Sequence, residues 1–236
     1  MRVEDCALVN IEDGLFTRNY AGSQGSSGGA ISAARSTVHV VRCTLRDNQA
    51  NWGGGLFTDK STATLIECVF FDNTSYSETG VIGRGGAIFG SGAMSLIGST
   101  LAANTAEIGS GIAYGSGPNP DVLTIDNTIV AFNTGGSGIE CGGTASALLS
   151  CTDVYGNAGG DWVGCIAGQA GLNGNLAAYP LFCGLAAGDL TIDEASPCAP
   201  AQSGACGLIG ALPVRCGTTG VDAATWGAIK SRMRGK

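Results

Sequence analysis

Short runs in which apolar and polar residues alternate recur along most of this chain. Val38 and Val40, Ala63 and Leu65, Met94 and Leu96, and Leu123 and Ile125 each stand two residues apart. In extended backbone the members of each pair face the same side, so each run predicts a strand with one buried face. A glycine phrase precedes each run and a phrase ending in asparagine follows it. The glycine phrases start at Gly28, Gly53, Gly85, Gly109 and Gly136, at spacings of 25, 32, 24 and 27 residues. The asparagine phrases end at Asn48, Asn73, Asn104, Asn133 and Asn157, at spacings of 25, 31, 29 and 24. The two series drift together, so insertions at 75–82 and 115–121 account for the longer steps.

A repeat of roughly 25 residues carrying about three short strands predicts a solenoid. Each coil adds one strand spacing of roughly 4.8 Å, and stacking buries an apolar face that one coil cannot bury alone. The fold expected is therefore all-β, a right-handed, single-stranded parallel β-helix. Glycine suits bends that need positive φ or close backbone approach. Asparagine tolerates a left-handed turn, and its amide can bond to the equivalent residue one coil away. Asn48, Asn73, Asn104, Asn133 and Asn157 are expected to form such a structural ladder.

Phe70-Phe71-Asp72-Asn73 and Phe16-Thr17-Arg18-Asn19 are full FxxN phrases, and Gly28-Gly29-Ala30-Ile31 and Gly85-Gly86-Ala87-Ile88 are GGAI phrases. In alternation they resemble the repeats of the chlamydial-type polymorphic outer-membrane proteins. More widely, they are similar to right-handed parallel β-helix proteins of the pectin-lyase-like fold. The resemblance covers about residues 1–160. It implies the architecture and a surface or secreted setting, but no particular activity, because one fold hosts many functions.

The organisation expected is β-helix coils over 1–168, a final coil and cysteine-rich cap over 169–216, and a linker with a short basic tail over 217–236. Trp162, Tyr155 and Ile166 are expected to plug the end of the helix. Leu190-Thr191-Ile192 and Leu208 to Leu212 are expected strands of the cap. The segment around Ser196-Pro197-Cys198 and Gly210-Ala211-Leu212-Pro213 resembles the closing segment of secreted bacterial β-helix proteins. In the tail, Trp226, Ile229 and Met233 fit one face of a helix, beside Lys230, Arg232, Arg234 and Lys236. A capping helix and a sorting or surface-retention signal are both open readings. At the other end, Cys6 to Asn10 aligns with Cys43 to Asn48 with one residue missing. This puts residues 1–27 in a partial first coil and suggests a longer secreted protein whose signal peptide lies upstream.

Composition agrees with a β-solenoid. Of 236 residues 40 are glycine and 13% are charged, against about 7% and about 25% in ordinary soluble domains. The net charge of −7, and the absence of any Lys or Arg from 85 to 214, disfavour nucleic acid as a partner. No run is long and apolar enough to span a membrane. The ten cysteines show no zinc-type CxxC pair. Cys43 and Cys68 hold the same place in successive coils, followed there by Ser99, and are expected to stack unbonded. The density of cysteines from Cys141 onward predicts disulfides and an oxidising compartment, extracellular or at the cell surface. Cys183–Cys198 and Cys206–Cys216 are the pairs expected.

Candidate chemistry is sparse. Asp47 and Asp72 occupy matching places one coil apart, with Arg46 adjacent and Arg42 and Arg84 as possible neighbours. Two such carboxylates would raise one another's pKa or bind a cation. The row then lapses to Ala103 and Phe132. Asp161, in a glycine turn, is a candidate Ca²⁺ ligand, and no other cofactor is expected. His39, the sole histidine, lies between Val38 and Val40 and so should face outward. These features predict a surface β-helix module with a structural, adhesive or carbohydrate-contacting role and polysaccharide as a possible partner. The alternative is a polysaccharide lyase or glycoside hydrolase, or a remnant of one, working at Asp47 and Asp72. Oligomeric state is not legible.

Overall fold

The computed structural model describes residues 1–217 apart from 23, 79 and 116–119; the expected tail helix lies outside them. The chain winds into a parallel β-solenoid of about five turns. The mean turn is about 29 residues rather than 25, because side loops lengthen several coils.

Three parallel sheets form its walls. The long sheet has ten strands. In most coils a bend splits it, as between Ile31–Ala34 and Thr37–Val41, but Leu56–Ile66 and Ile88–Ile97 run through unbroken. The flank sheet stacks Leu15–Thr17, Thr44–Arg46, Val69–Phe71, Thr100–Ala102, Ile129–Ala131 and Asp153–Tyr155. A short sheet stacks Gln49–Ala50, Thr74–Ser75, Thr105–Ala106 and Thr134–Gly135. Inward residues align in columns, as in Ile31, Leu56, Ile88, Ile112 and Ile139, or Phe70, Leu101 and Val130. All of these are fully buried.

The bends explain the repeat phrases. Gly28, Gly53, Gly85 and Gly109 all have φ between 57° and 68°. A Cβ on Gly53 would lie 2.1 Å from the Leu56 carbonyl oxygen, so no other residue fits. At the bend from flank sheet to short sheet, the left-handed position passes through Arg18, Asp47, Asp72, Ala103, Phe132 and Gly156. The next residue in each coil is the ladder asparagine. Each Oδ1 accepts both the backbone and the amide N–H of the asparagine one coil back, as Asn73 does from Asn48 at 3.1 and 2.9 Å. The column runs through Asn48, Asn73, Asn104, Asn133 and Asn157, and begins one coil earlier, at Asn19.

The first coil is more complete than its sequence suggests. Arg2–Glu4, Val9–Glu12 and Leu15–Thr17 all pair with the second coil. The alignment of Cys6 with Cys43 is incorrect. Cys6 N–H donates to Ser36 Oγ, whereas Gly14 N–H meets Cys43 Sγ. The inward run at the flank-sheet bend is Gly14, Cys43, Cys68, Ser99 and Thr128; Cys43 and Cys68 are buried free thiols within it. Burial pushes the Cys68 thiol up to about 12.

The closing segment departs most from expectation. It folds back along the outside of the flank sheet. From the third coil onward most outward residues of that sheet are apolar, Val69 and Phe71, then Ala102, then Ile129 and Ala131, with Thr100 and Asp153 as polar members of the same face, and all of these are buried. Leu190, Ile192, Cys198, Ala199 and Ile209 cover them. The segment's own sheet pairs Phe182–Gly184 antiparallel with Asp189–Asp193, which lies parallel to Val214–Cys216. Leu208 to Leu212 is not a strand. Gly210 has φ 104° and lies so close to the flank sheet that a Cβ would sit 2.8 Å from Ile129 Cδ1. Its N–H donates to the Asn127 carbonyl, and Ala211 N–H to Thr100 Oγ1.

The disulfides follow this path and correct both expected pairs. They are Cys141–Cys165, Cys151–Cys206 and Cys183–Cys216. Cys198 is unbonded and buried. Folding back carries Cys206 to the bend at Cys151, and the turn after Asp193 carries Cys198 inward against Asp153, away from Cys183. Ile166 does plug the end of the core, with Trp162 packed beside it. Tyr155 instead faces outward, edge-on to Phe132 and Tyr179 at 5.8 and 5.7 Å.

Candidate functional site

The same alternation that fills the core sets what the long sheet shows outside. With Leu56 and Ile88 inward, Phe57 and Phe89 must face outward, directly paired in register. Their ring centroids lie 5.7 Å apart. Trp52, in the bend just before Gly53, leans over Phe89 at 6.4 Å. Its indole N–H donates to the Ile82 carbonyl at 3.3 Å, which fixes the ring. Arg84 holds the equivalent place one coil later, in a parallel bridge with Trp52.

These side chains line a recess of about 530 Å³, together with Asp59 and Ser91, two residues farther along the same two strands, and with Gly115 and Gly142. Asp59 accepts a hydrogen bond from Ser91 Oγ at 3.3 Å. Arg2, Arg35, Arg42 and Arg46 each meet a carboxylate. Among the described residues none pairs with the Arg84 guanidinium. Toward the first coil, a second recess of about 590 Å³ shares Phe57 and Asp59 with the first. The two form one groove along the solenoid axis, crossing several coils at roughly 4.8 Å each. Aromatic faces fixed from behind, with a few polar groups at the rim, suit a flat ligand that has both apolar faces and hydroxyl edges.

Sequence reasoning passed over this groove. A signal was present: Leu56-Phe57 and Ile88-Phe89 break the alternation by placing an aromatic residue where a polar one is expected.

Asp47 and Asp72 are brought together. Both occupy the left-handed bend, with φ of 58° and 53°, a conformation that aspartate tolerates well. Burial first, and then the Asp47 carboxylate within hydrogen-bonding reach, hold the Asp72 carboxyl above its ordinary range. Arg46 Nε donates to Asp47 at 3.0 Å. Glycosidase carboxylates stand roughly 5–9.5 Å apart, and Asp47 and Asp72 hold equivalent places in adjacent coils, just after the paired Arg46 and Phe71. The other suggested arginines are elsewhere, Arg42 on Asp13 and Arg84 in the aromatic groove.

Asp161 closes the asparagine ladder. One oxygen accepts the backbone and amide N–H groups of Asn157, both at 2.8 Å, and the other accepts Gly156 N–H at 2.9 Å. Among the described residues no three His, Cys, Asp or Glu side chains stand together as a metal cluster. His39 faces outward between buried Val38 and Val40. Among the described residues no helix is long and apolar enough to cross a membrane.

Comparison of the sequence with protein-family models, with curated proteins and with solved structures finds no match in any of the three.

Proposed function

We propose that this chain is an extracellular or cell-surface β-helix module that holds carbohydrate against the groove formed by Trp52, Phe57 and Phe89. One observation carries the reading: three aromatic rings packed together on the outside of a sheet whose inside is already filled. Core packing does not require them there, and a recess lies over them. Three disulfides fit an oxidising compartment.

The test is binding to a glycan array, followed by titration calorimetry of any hit. Trp52→Ala should weaken binding about tenfold or more, the usual effect of truncating an aromatic anchor. The fold should persist, because Trp52 is outside the core. Unchanged affinity in Trp52→Ala and Phe57→Ala would remove the groove from the binding site. Release of shortened products by the wild type, lost in Asp72→Ala, would instead favour the lyase or hydrolase alternative.

A further inference from the structure

A third recess, of about 410 Å³, opens where the flank sheet bends into the short sheet, lined by Arg18, Asn19, Tyr20, Arg46, Asp47 and Gln49. It shares no lining residue with the aromatic groove. The fold holds most of this wall in place. The Asn19 amide is tied into the ladder, donating to Asn48 Oδ1 at 2.8 Å. Arg46 is pinned by Asp47 and lies 5.6 Å over the Phe71 ring. Tyr20 stacks on Tyr76 at 6.0 Å and 27°, and Tyr76 is anchored through its hydroxyl to the Ala21 carbonyl at 2.8 Å. Gly22 allows this placement, since a Cβ there would stand 2.2 Å from Tyr20 Cε1. Even so, Tyr20 remains 64% exposed.

Arg18 is the uncommitted group. Among the described residues its guanidinium has no carboxylate partner, whereas Arg46 has Asp47. Two guanidinium groups and one carboxylate line the recess, with Asp72 beside Asp47 outside the lining, so Arg18 is the guanidinium left to meet a ligand beside a fixed, exposed ring. A guanidinium fork matches a carboxylate or sulfate with two parallel hydrogen bonds. An aromatic ring offers a pyranose the apolar face it needs.

We propose that this recess is a second saccharide site, selective for an anionic sugar, with the ring against Tyr20 and its carboxylate or sulfate on Arg18. The proposal rests on the reading of the chain as a glycan binder, but on none of the groove's residues.

Calorimetry on the full chain would use four probes: a sulfated tetrasaccharide, the same tetrasaccharide desulfated, a uronate tetramer and sodium sulfate. At least one charged oligosaccharide should bind, with affinity falling as salt rises. Arg18→Gln should weaken it about tenfold or more, Tyr20→Ala should weaken it too, and Trp52→Ala should leave it unchanged. The stronger of the two charged probes identifies the anion. The proposal is overturned if neither binds, if Arg18→Gln has no effect, or if the desulfated sugar binds as tightly as the stronger charged probe. Sodium sulfate binding as tightly as the sugars would also overturn it, by reducing the recess to a plain anion site. The two sites fail separately. Loss of charged-probe binding in Trp52→Ala with none in Arg18→Gln ends this proposal alone, whereas the groove stands or falls on the glycan-array ligand and its response to Trp52→Ala and Phe57→Ala.

Discussion

At the scale of single residues, the turns of this solenoid are set by side chains whose hydrogen bonds run along the axis. Asn73 is fully buried, and its Oδ1 satisfies two donors of Asn48. Asn73→Ala orphans both, and an unmet buried donor costs about 1–3 kcal/mol. The variant should lose about 2–4 kcal/mol of stability in urea unfolding; Asn19→Ala, at the half-exposed first position, should lose less. The second residue to test is Asp153, fully buried beneath the closing segment. It accepts Ala178 N–H at 3.0 Å and lies 3.4 Å from Cys198 Sγ. Burial pushes its carboxyl up to about 6, from 3.8. The folded state therefore holds the proton more tightly than the unfolded chain does. The resulting stability is fully present below pH 4 and is lost as pH rises through 6, an effect of about 3 kcal/mol at most. Glu4, Asp5 and Asp13, drawn below their ordinary range by Arg35 and Arg42, act in the opposite sense below about pH 4. Asp153→Asn should flatten stability between pH 4 and 7. An unchanged slope would assign that window to another group.

At the scale of elements, the question is how the open edge of the last coil is closed. Side chains do it. Asp161 receives the end of the ladder, Gln169 accepts Leu149 N–H and donates to the Ala147 carbonyl, and Asn175 accepts Thr152 N–H. Each supplies the backbone-like partner that a further coil would have supplied, which blunts an edge prone to pairing with other chains. The closing segment then seals the flank sheet, and its fit depends on close approach at Gly210. Gly210→Ala meets both the positive φ and the Ile129 side chain, and should cost about 1–3 kcal/mol. The loosened segment should show as faster hydrogen exchange at Ala211, whose N–H is bonded to Thr100 Oγ1. The sign of this packing was legible. Val69-Phe70-Phe71 and Ile129-Val130-Ala131 are continuous apolar runs, the pattern of strands buried on both faces. What lay on the second face was not legible, because the covering residues are about 60–140 positions away in the sequence.

At the scale of the whole molecule, stability is distributed unevenly along the axis. All three disulfides tie residues between 141 and 216. The covered flank begins at the third coil, with Phe71 and Val69 under Leu190. The second coil has only its neighbours, as in a simple repeat array. Native-state hydrogen exchange should therefore run at least about tenfold faster in Thr44–Arg46 than in Ile129–Ala131. Equal protection would mean that the closing segment stabilises every coil alike. The groove spans both regions, so its N-terminal half, near Ser32 and Arg35, belongs to the looser part.

The sequence alone determined the winding: glycines where only positive φ closes a bend, asparagines where a buried amide must reach the next coil, and inward residues every second position. These are local requirements repeated at nearly constant spacing, so they can be read without knowing what touches what. Tertiary structure alone decided the disulfide partners, the path of the closing segment and the lean of Trp52 over Phe89. Each of these is a contact between residues that nothing local holds together. A stacked fold converts equal positions in successive coils into neighbours, but a strand that folds back across the coils obeys no such period.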